Sequence, residues 1–228
     1  MIHLIELENV PILDQLRLEE ALLRTDSRNF CVINQGSTRA VVMGISGEPN
    51  ALLHLDAIHR DQIPVIKRFS GGGTVIVDEE TLFITFIFSK SALDVAPFPE
   101  PILKWSAELY KKAWQIGDFH LRENDYCIGE KKCGGNAQYI KKDRWLHHTS
   151  FLWDYSEDNM NYLRLPEKRP KYREDRAHKD FLCKLKDYVK HPEELIKKLK
   201  QHLPNCAPFD LNSLPQTSHR TSTQKIFY

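Results

Sequence analysis

Arg68-Phe69-Ser70-Gly71-Gly72-Gly73-Thr74-Val75-Ile76-Val77-Asp78 sets three consecutive glycines between a basic dipeptide, Lys67-Arg68, and a β-branched run. Glycine costs backbone entropy on folding, so three in a row ahead of a strand need a reason. One reading is a plain turn. The other is a ligand lying directly on the main chain. Successive N–H groups in such a loop form an anion-binding nest, and Arg68 adds a forked donor for carboxylate or phosphate.

The flanks of this loop read as strands. Pro64 to Lys67 leads in, and Leu82 to Phe88 is nearly all apolar, which predicts a central strand covered on both faces. Towards the N-terminus, residues 2–8 read as a strand, and Pro11 opens a helix with Ile12, Leu16 and Leu23 on one face and Arg17, Glu19 and Glu20 off it. Phe30 to Asn34 and Ala40 to Met43 read as strands joined by Gln35-Gly36-Ser37. A polar loop from Gly44 to Asn50 and a short helix around Leu52 to His59 follow. Past the loop, prolines 97, 99 and 101 introduce a helix repeating Ile102, Ser106, Leu109, Ala113 and Ile116, with Gly117 as its cap. Four strands are expected at Phe119 to Arg122, Tyr126 to Ile128, Lys132 to Ile140 and Trp145 to Trp153. Residues 164–179 are densely charged and read as an exposed loop carrying the basic cluster Tyr172, Arg173, Arg176 and His178. Helices at Phe181 to Val189 and from Pro192 to Pro204 complete the pattern. Elements mix without strict βαβ alternation. The expected fold class is an α/β (α+β) sandwich: a mixed, largely antiparallel sheet with packed helices. One domain spans 1–204, and 205–228 reads as a polar, irregular tail.

Bulk properties exclude some classes. Lys plus Arg number 32 and Asp plus Glu 31, so no basic field suggests nucleic-acid wrapping. Five scattered cysteines lack a C-x-x-C pair, which argues for a reducing compartment and against a disulfide framework or structural zinc. No apolar run approaches the roughly 20 residues that span a bilayer, and the first residues already look like strand. A soluble, cytoplasmic protein is the expectation.

A second glycine-bearing stretch, Lys131-Lys132-Cys133-Gly134-Gly135-Asn136-Ala137-Gln138, puts a cation beside a glycine pair on a predicted strand. By itself it reads first as solvated surface. The adjacent His147 and His148 face opposite sides of a strand and cannot chelate one metal together. Taken in order, RFSGGGTVIVD, REND (Arg122 to Asp125), KKCGGNAQ and HHTSFLWD (His147 to Asp154) resemble the biotin/lipoate protein ligase superfamily, and its lipoate-protein ligase A branch in particular. That branch reads R-R-x-S-G-G-G-x-V-x-H-D, G-R-N-D, K-x-x-G-x-A and H-H-G-T-L. The similarity covers roughly residues 10–182, with order and spacing kept.

The resemblance implies a biotin/lipoate ligase-like fold and an ATP-dependent enzyme. It would activate lipoate or octanoate to acyl-AMP with Mg²⁺ and pass the acyl group to a lysine of a lipoyl domain. The implied acceptors are the E2 subunits of 2-oxoacid dehydrogenases or the glycine cleavage H protein, with no nucleic acid or membrane involved. Carried over by motif, Lys132 is the catalytic lysine. Arg68, Ser70, Gly71, Gly72, Gly73, Thr74, Val75 and Ile76 line the substrate and nucleotide. Asn124, Asp125, Gly135, Ala137 and His148 complete the set, with Asp125 as candidate magnesium ligand. Physically, joining a carboxylate to an α-phosphate brings two anions together, which a fixed ammonium relieves. The pattern departs at Val77-Asp78, where the family has His-Asp, and at Thr149-Ser150, where it has Gly-Thr. Many relatives carry a further C-terminal accessory domain. None is expected here, which leaves three alternatives: the enzyme works alone, it needs a separate accessory chain, or it performs only the transfer step. The rival readings are an ATP-independent octanoyl or lipoyl transferase, which would need a thiolate such as Cys127 or Cys133, and a non-catalytic lipoyl-adenylate-binding relative.

Overall fold

Thr81 to Ser89 forms the middle of the molecule, and its first eight residues are buried, as an unbroken apolar run requires. The computed structural model describes residues 1–166, 169–214 and 221–228. Among these the strands are β1 (Ile2–Glu8), β2 (Asn29–Gln35), β3 (Ala40–Met43), β4 (Val65–Lys67), β5 (Val75–Val77), β6 (Thr81–Ser89), β7 (Phe119–Arg122), β8 (Asp125–Ile128), β9 (Lys131–Ile140), β10 (Arg144–Leu152), β11 (Cys206–Pro208) and β12 (Gln224–Phe227). The helices are α1 (Ile12–Thr25), α2 (Pro49–Leu52), α3 (Leu55–Arg60), α4 (Pro99–Trp114), α5 (His178–Phe181) and α6 (Pro192–His202).

Eight strands form one sheet in the order β11-β1-β2-β6-β10-β9-β8-β7, and β12-β4-β3-β5 form a second. β1 pairs in parallel with β2 and β11, and β3 with β4; the other pairings are antiparallel. The mixed, largely antiparallel α/β architecture expected from sequence is therefore the observed one. One face of the large sheet packs Phe86, Phe88, Trp145 and Phe151 against Tyr110 and Trp114 of α4 and Leu195 and Leu199 of α6. The other face carries α1 and the small sheet. There Leu22 and Leu23 of α1 meet Phe30, Ile87, Leu146 and Phe69 of the glycine loop.

Several local expectations are corrected. Gln35-Gly36-Ser37 joins the two strands as expected, but it carries the chain from β2 in the large sheet to β3 in the small one, with Gly36 at φ 80. The left-handed residue ending α4 is Gln115 (φ 54), two residues before Gly117. The short helix expected at Leu52 to His59 divides into α2 and α3. Glu19 and Glu20 are both fully buried, because each meets polar partners supplied from far along the chain. Leu185 to Asp187 is a single 3-10 turn, so the helix expected from Phe181 to Val189 is absent.

The charged stretch 164–179 is not simply exposed. Tyr172 and Arg173 are buried in a 3-10 turn, and Tyr172, Phe181 and Leu182 cluster with Cys127 of β8. Residues 167 and 168 of that stretch lie outside the described residues. The last residues are not an irregular tail throughout either. β11 extends the large sheet, and β12 runs antiparallel to β4, the strand that feeds Arg68. Between them, residues 215–220 also lie outside the described residues.

Candidate active site

The glycine loop is held from three sides. Arg68, only 4% exposed, turns its guanidinium back onto its own loop. Nη2 donates to the carbonyls of Gly71 (3.0 Å) and Gly73 (2.9 Å), and Nε donates to Gly71 (3.3 Å). Burial lowers this guanidinium to about 10, so it stays charged at neutral pH. From β3 and the residues after it, Met43 accepts the Arg68 N–H (3.0 Å), and Ile45 N–H donates to the carbonyl of Ser70 (3.0 Å). Gly44 lies against Gly72 so closely that a Cβ on Gly44 would stand 2.3 Å from the Gly72 carbonyl oxygen. From the C-terminus, Phe69 N–H donates to Thr223 Oγ1 (3.3 Å). Thr223 and Ser222 in turn donate their N–H groups to the carboxylate of Glu20 on α1.

The three glycines are not equivalent. Gly72 has φ 112, and a Cβ there would meet Arg68 Nη2 at 2.6 Å and the Asn136 carbonyl oxygen at 3.2 Å. The chain itself demands glycine at this position. Gly71 and Gly73 have nothing within 4 Å of an added Cβ, so their Cα faces open onto free space where a ligand can lie. Ser70 is buried beside them. Thr74 Oγ1 is buried with no hydrogen-bond partner among the described residues. A hydroxyl in that state is costly unless a ligand acceptor satisfies it. Val75 and Ile76 lie in β5. Ile76 points into the small-sheet core with Val41 and Val65, so its side chain is not available to a ligand.

The second glycine stretch meets the first. Gly72 rests over Asn136 and Ala137 of β9. On the same strand Lys132 folds back over Gly135, its Nζ 3.2 Å from where a Gly135 Cβ would stand. A slip of register between Tyr126 and Cys127 makes Gly134 the partner of Tyr126 and Lys132 that of Cys127. Lys132 Nζ pairs with Asp125 Oδ1 at 2.7 Å, and Tyr172 donates to Asp125 Oδ2 at 2.9 Å. Both carboxylate oxygens are thus engaged. Asp125 is held against the lysine, and each of its oxygens keeps a further lone pair, so this pairing leaves the expected magnesium contact open. Asn124 is exposed, and its carbonyl accepts from Asn136 (2.7 Å), tying the β7–β8 turn to β9.

The histidine pair divides as strand geometry requires. His148 lies opposite Ala137 and Thr85, on the face of the glycine loop, and its Nδ1 meets Glu19 (3.0 Å) and Thr85 Oγ1 (2.9 Å). His147 faces the helical core, bonded to Tyr126 (2.7 Å) and Gln138 (3.0 Å). Burial, then the neighbouring His148, lowers its imidazole from 6.5 to about 3. The unfolded chain therefore binds a proton between these values that the folded chain refuses. Stability is fully present above about 6.5 and falls as the pH drops towards 3, by about 1.4 kcal/mol per pH unit for that proton. Urea midpoints measured from pH 7 to 4.5 should show this slope, and His147→Gln should flatten it; an unchanged slope in the variant would contradict the assignment.

Cys127 is buried across from Lys132, 3.2 Å from the Tyr172 hydroxyl, and burial pushes its thiol up to about 11. Burial raises the Cys133 thiol as well. Neither is a ready thiolate. Sequence reasoning missed Gly44 and Thr223, and read Tyr172 and Glu20 as exposed where the structure buries them. Glu19, placed on the wrong face, had a signal: with Ile12, Leu16 and Leu23 it completes a 12-16-19-23 stripe.

A model of the lipoyl protein ligase A/B catalytic domain matches residues 11–204. The chain belongs to that family. It is 28% identical to the inactive lipoate–protein ligase 2 of Plasmodium falciparum, over 89% of this chain and 69% of that protein. Other curated lipoate-protein ligases are spanned over only 31% to 55% of their own length. Among solved structures, a lipoate-protein ligase A bound with ATP superposes with a TM-score of 0.71 at 19% identity, covering 88% of this chain and 82% of that one. The bi-partite lipoate protein ligase of Thermoplasma acidophilum, studied with its E2 lipoyl domain, gives 0.72 at 19% identity over 89% and 82%. At these identities the structures establish the shared fold. No described helix is long and apolar enough to cross a membrane.

Proposed function

We propose that this protein is an ATP-dependent lipoate–protein ligase: it joins lipoate, or octanoate, to AMP and passes the acyl group to a lysine of a lipoyl domain. The carrying observation is the meeting of the two glycine stretches, with Gly72 seated on Ala137 and Lys132 lying over Gly135. A ligand on the open faces of Gly71 and Gly73 lies beside that ammonium. The acyl carboxylate and the α-phosphate would meet there, and Lys132 offsets the charge gathering on the phosphoryl oxygens. After adenylation, the same cation polarises the acyl carbonyl for attack by the acceptor's ε-amine. Magnesium accompanies the nucleotide's phosphates, and Asp125 stays open to it.

Relatives support the choice of substrates. One solved neighbour holds ATP, and another was studied with an E2 lipoyl domain. That second protein is bi-partite, which favours an accessory chain acting beside this one. A thioester route gains no support from the raised thiols of Cys127 and Cys133. A second reading, an adenylate-binding relative without catalysis, is favoured by one observation: the Plasmodium relative bears the name inactive. The test is to incubate pure protein with lipoate, octanoate or biotin, Mg-ATP and a lipoyl domain, then weigh the acceptor by mass spectrometry. Pyrophosphate release with a lipoyl mass gain is the expected result. Binding of acyl-AMP without either would select the second reading, and modification from acyl carrier protein alone would select a transferase.

A further inference from the structure

The segment covering Lys132 carries a buried cation with one nitrogen unpartnered among the described residues. Arg173 is 5% exposed. Its guanidinium stacks 4.6 Å over the Phe181 ring, and Nε donates to the Arg176 carbonyl (3.3 Å). Nη2 is buried with no hydrogen-bond partner among the described residues. A buried N–H of a charged group in that state costs free energy until an acceptor arrives.

The surroundings favour an anion. Two carboxylates meet this segment: Lys132 and Tyr172 engage Asp125, and Glu123 accepts the Tyr172 N–H (3.1 Å). Arg176 donates to the carbonyls of Arg173, Glu130 and Tyr172, and to no carboxylate among the described residues. Burial, then the charges of Arg173 and Lys132, hold the His178 imidazole down at about 4, so it is neutral and adds nothing to offset them. Neither Asp125 nor Glu123 engages the Arg173 guanidinium among the described residues. A planar fork with a free N–H suits a phosphoryl oxygen better than a point-like ammonium would.

Order along the sheet face says which phosphoryl group this is. The glycine loop rests on Ala137, Lys132 lies over Gly135, and the segment from Tyr172 to Leu182 covers Asp125 and Cys127. A ligand running from the loop past the lysine reaches Arg173 last. We propose that Arg173 binds the leaving group of adenylation, holding the β,γ-phosphates of the nucleotide and then the released pyrophosphate. This rests on the ligase reading above. In the step, a carboxylate oxygen forms a bond to the α-phosphorus as the bond from that phosphorus to the β-phosphate's bridging oxygen breaks. The electron pair stays on pyrophosphate and no proton moves. The new charge develops on the side of Arg173 while Lys132 faces the α-phosphate.

Inorganic pyrophosphate is the probe. Calorimetric titration with Mg²⁺ should show wild-type protein binding it, and Arg173→Gln binding it about tenfold or more weakly. Arg173→Lys, which keeps charge but loses the fork, should fall between. In half-reactions, Arg173→Gln should lose about tenfold more in ATP–pyrophosphate exchange than in acyl transfer from preformed lipoyl-AMP. Should the variants fold poorly, hydrogen exchange across residues 171–182 of the wild-type protein decides the matter, since pyrophosphate should slow it. Equal losses in both half-reactions would mean that Arg173 only shapes the cover, and no pyrophosphate binding by the wild type would overturn the assignment. Pyrophosphate binding that depends on Arg173 without any exchange would leave the anion site standing and remove the ligase reading instead.

Discussion

Lys132→Ala should release pyrophosphate about a thousandfold more slowly than the wild type, the upper range for losing one preorganised donor at a developing oxyanion. The reason is positional. Nζ is fixed by Asp125 at 2.7 Å, Asp125 is fixed by Tyr172 at 2.9 Å, and Gly135 leaves the space the lysine folds into. A charge held in place beforehand loses little to reorganisation as the reaction proceeds, which is why it outweighs the same charge on a mobile side chain. Lys132→Arg should not restore the rate. Its branched, planar head has to fit where a Gly135 Cβ would already stand 3.2 Å from Nζ. Since the alanine variant leaves Asp125 without its cation, stability should be checked beside the double variant Lys132→Ala/Asp125→Asn. Near-normal melting with lost exchange supports a role in chemistry. Wild-type pyrophosphate release from Lys132→Ala would sink the role given to this residue.

What the sequence made legible was local. An unbroken apolar run such as Leu82 to Phe88 can only be a covered strand, and it is. Prolines and dipole-matched charges marked α4 and α6. Both glycine stretches and Lys132 stood out because glycine beside a strand is unusual, and the structure brings Gly72 over Asn136 and Lys132 over Gly135. Partners far along the chain were not legible. The stripe on α1 could have marked Glu19 as buried, but not Thr85 and His148, which meet it from β6 and β10. The charged stretch around Tyr172 hides its own small core, because Tyr172, Phe181 and Leu182 are spaced without helical or strand period. The metal-like signature at Asp125 said nothing of the tyrosine that meets its second oxygen from 47 residues away.

The clamp at the C-terminus shows how much such distant pairing can weigh. Deleting residues 221–228 should lower stability by about 3–5 kcal/mol, the scale for stripping partners from a buried charge. Glu20 is fully buried and accepts from Ser222 N–H, Thr223 N–H and Thr223 Oγ1, leaving Arg24 as its remaining partner after the deletion. The same deletion removes β12 from beside β4 and the acceptor of the Phe69 N–H, so the glycine loop should loosen and the nucleotide KM rise. Thr223→Val isolates the hydroxyl and should cost about 1–3 kcal/mol. Burial works to raise the Glu20 pKa, but the hydrogen bonds from Ser222, Thr223 and Arg24 win and leave it below 4.5. The clamp's contribution is thus fully present above about pH 4.5 and is lost as the pH falls through that lowered value. The damage done by the deletion should shrink over the same window, since a protonated Glu20 needs fewer donors. Glu20→Gln should shrink it at neutral pH. If the deletion costs as much in the Glu20→Gln background as in the wild type, the carboxylate is not what the C-terminal segment holds. The loss would then lie in the β12–β4 pairing alone.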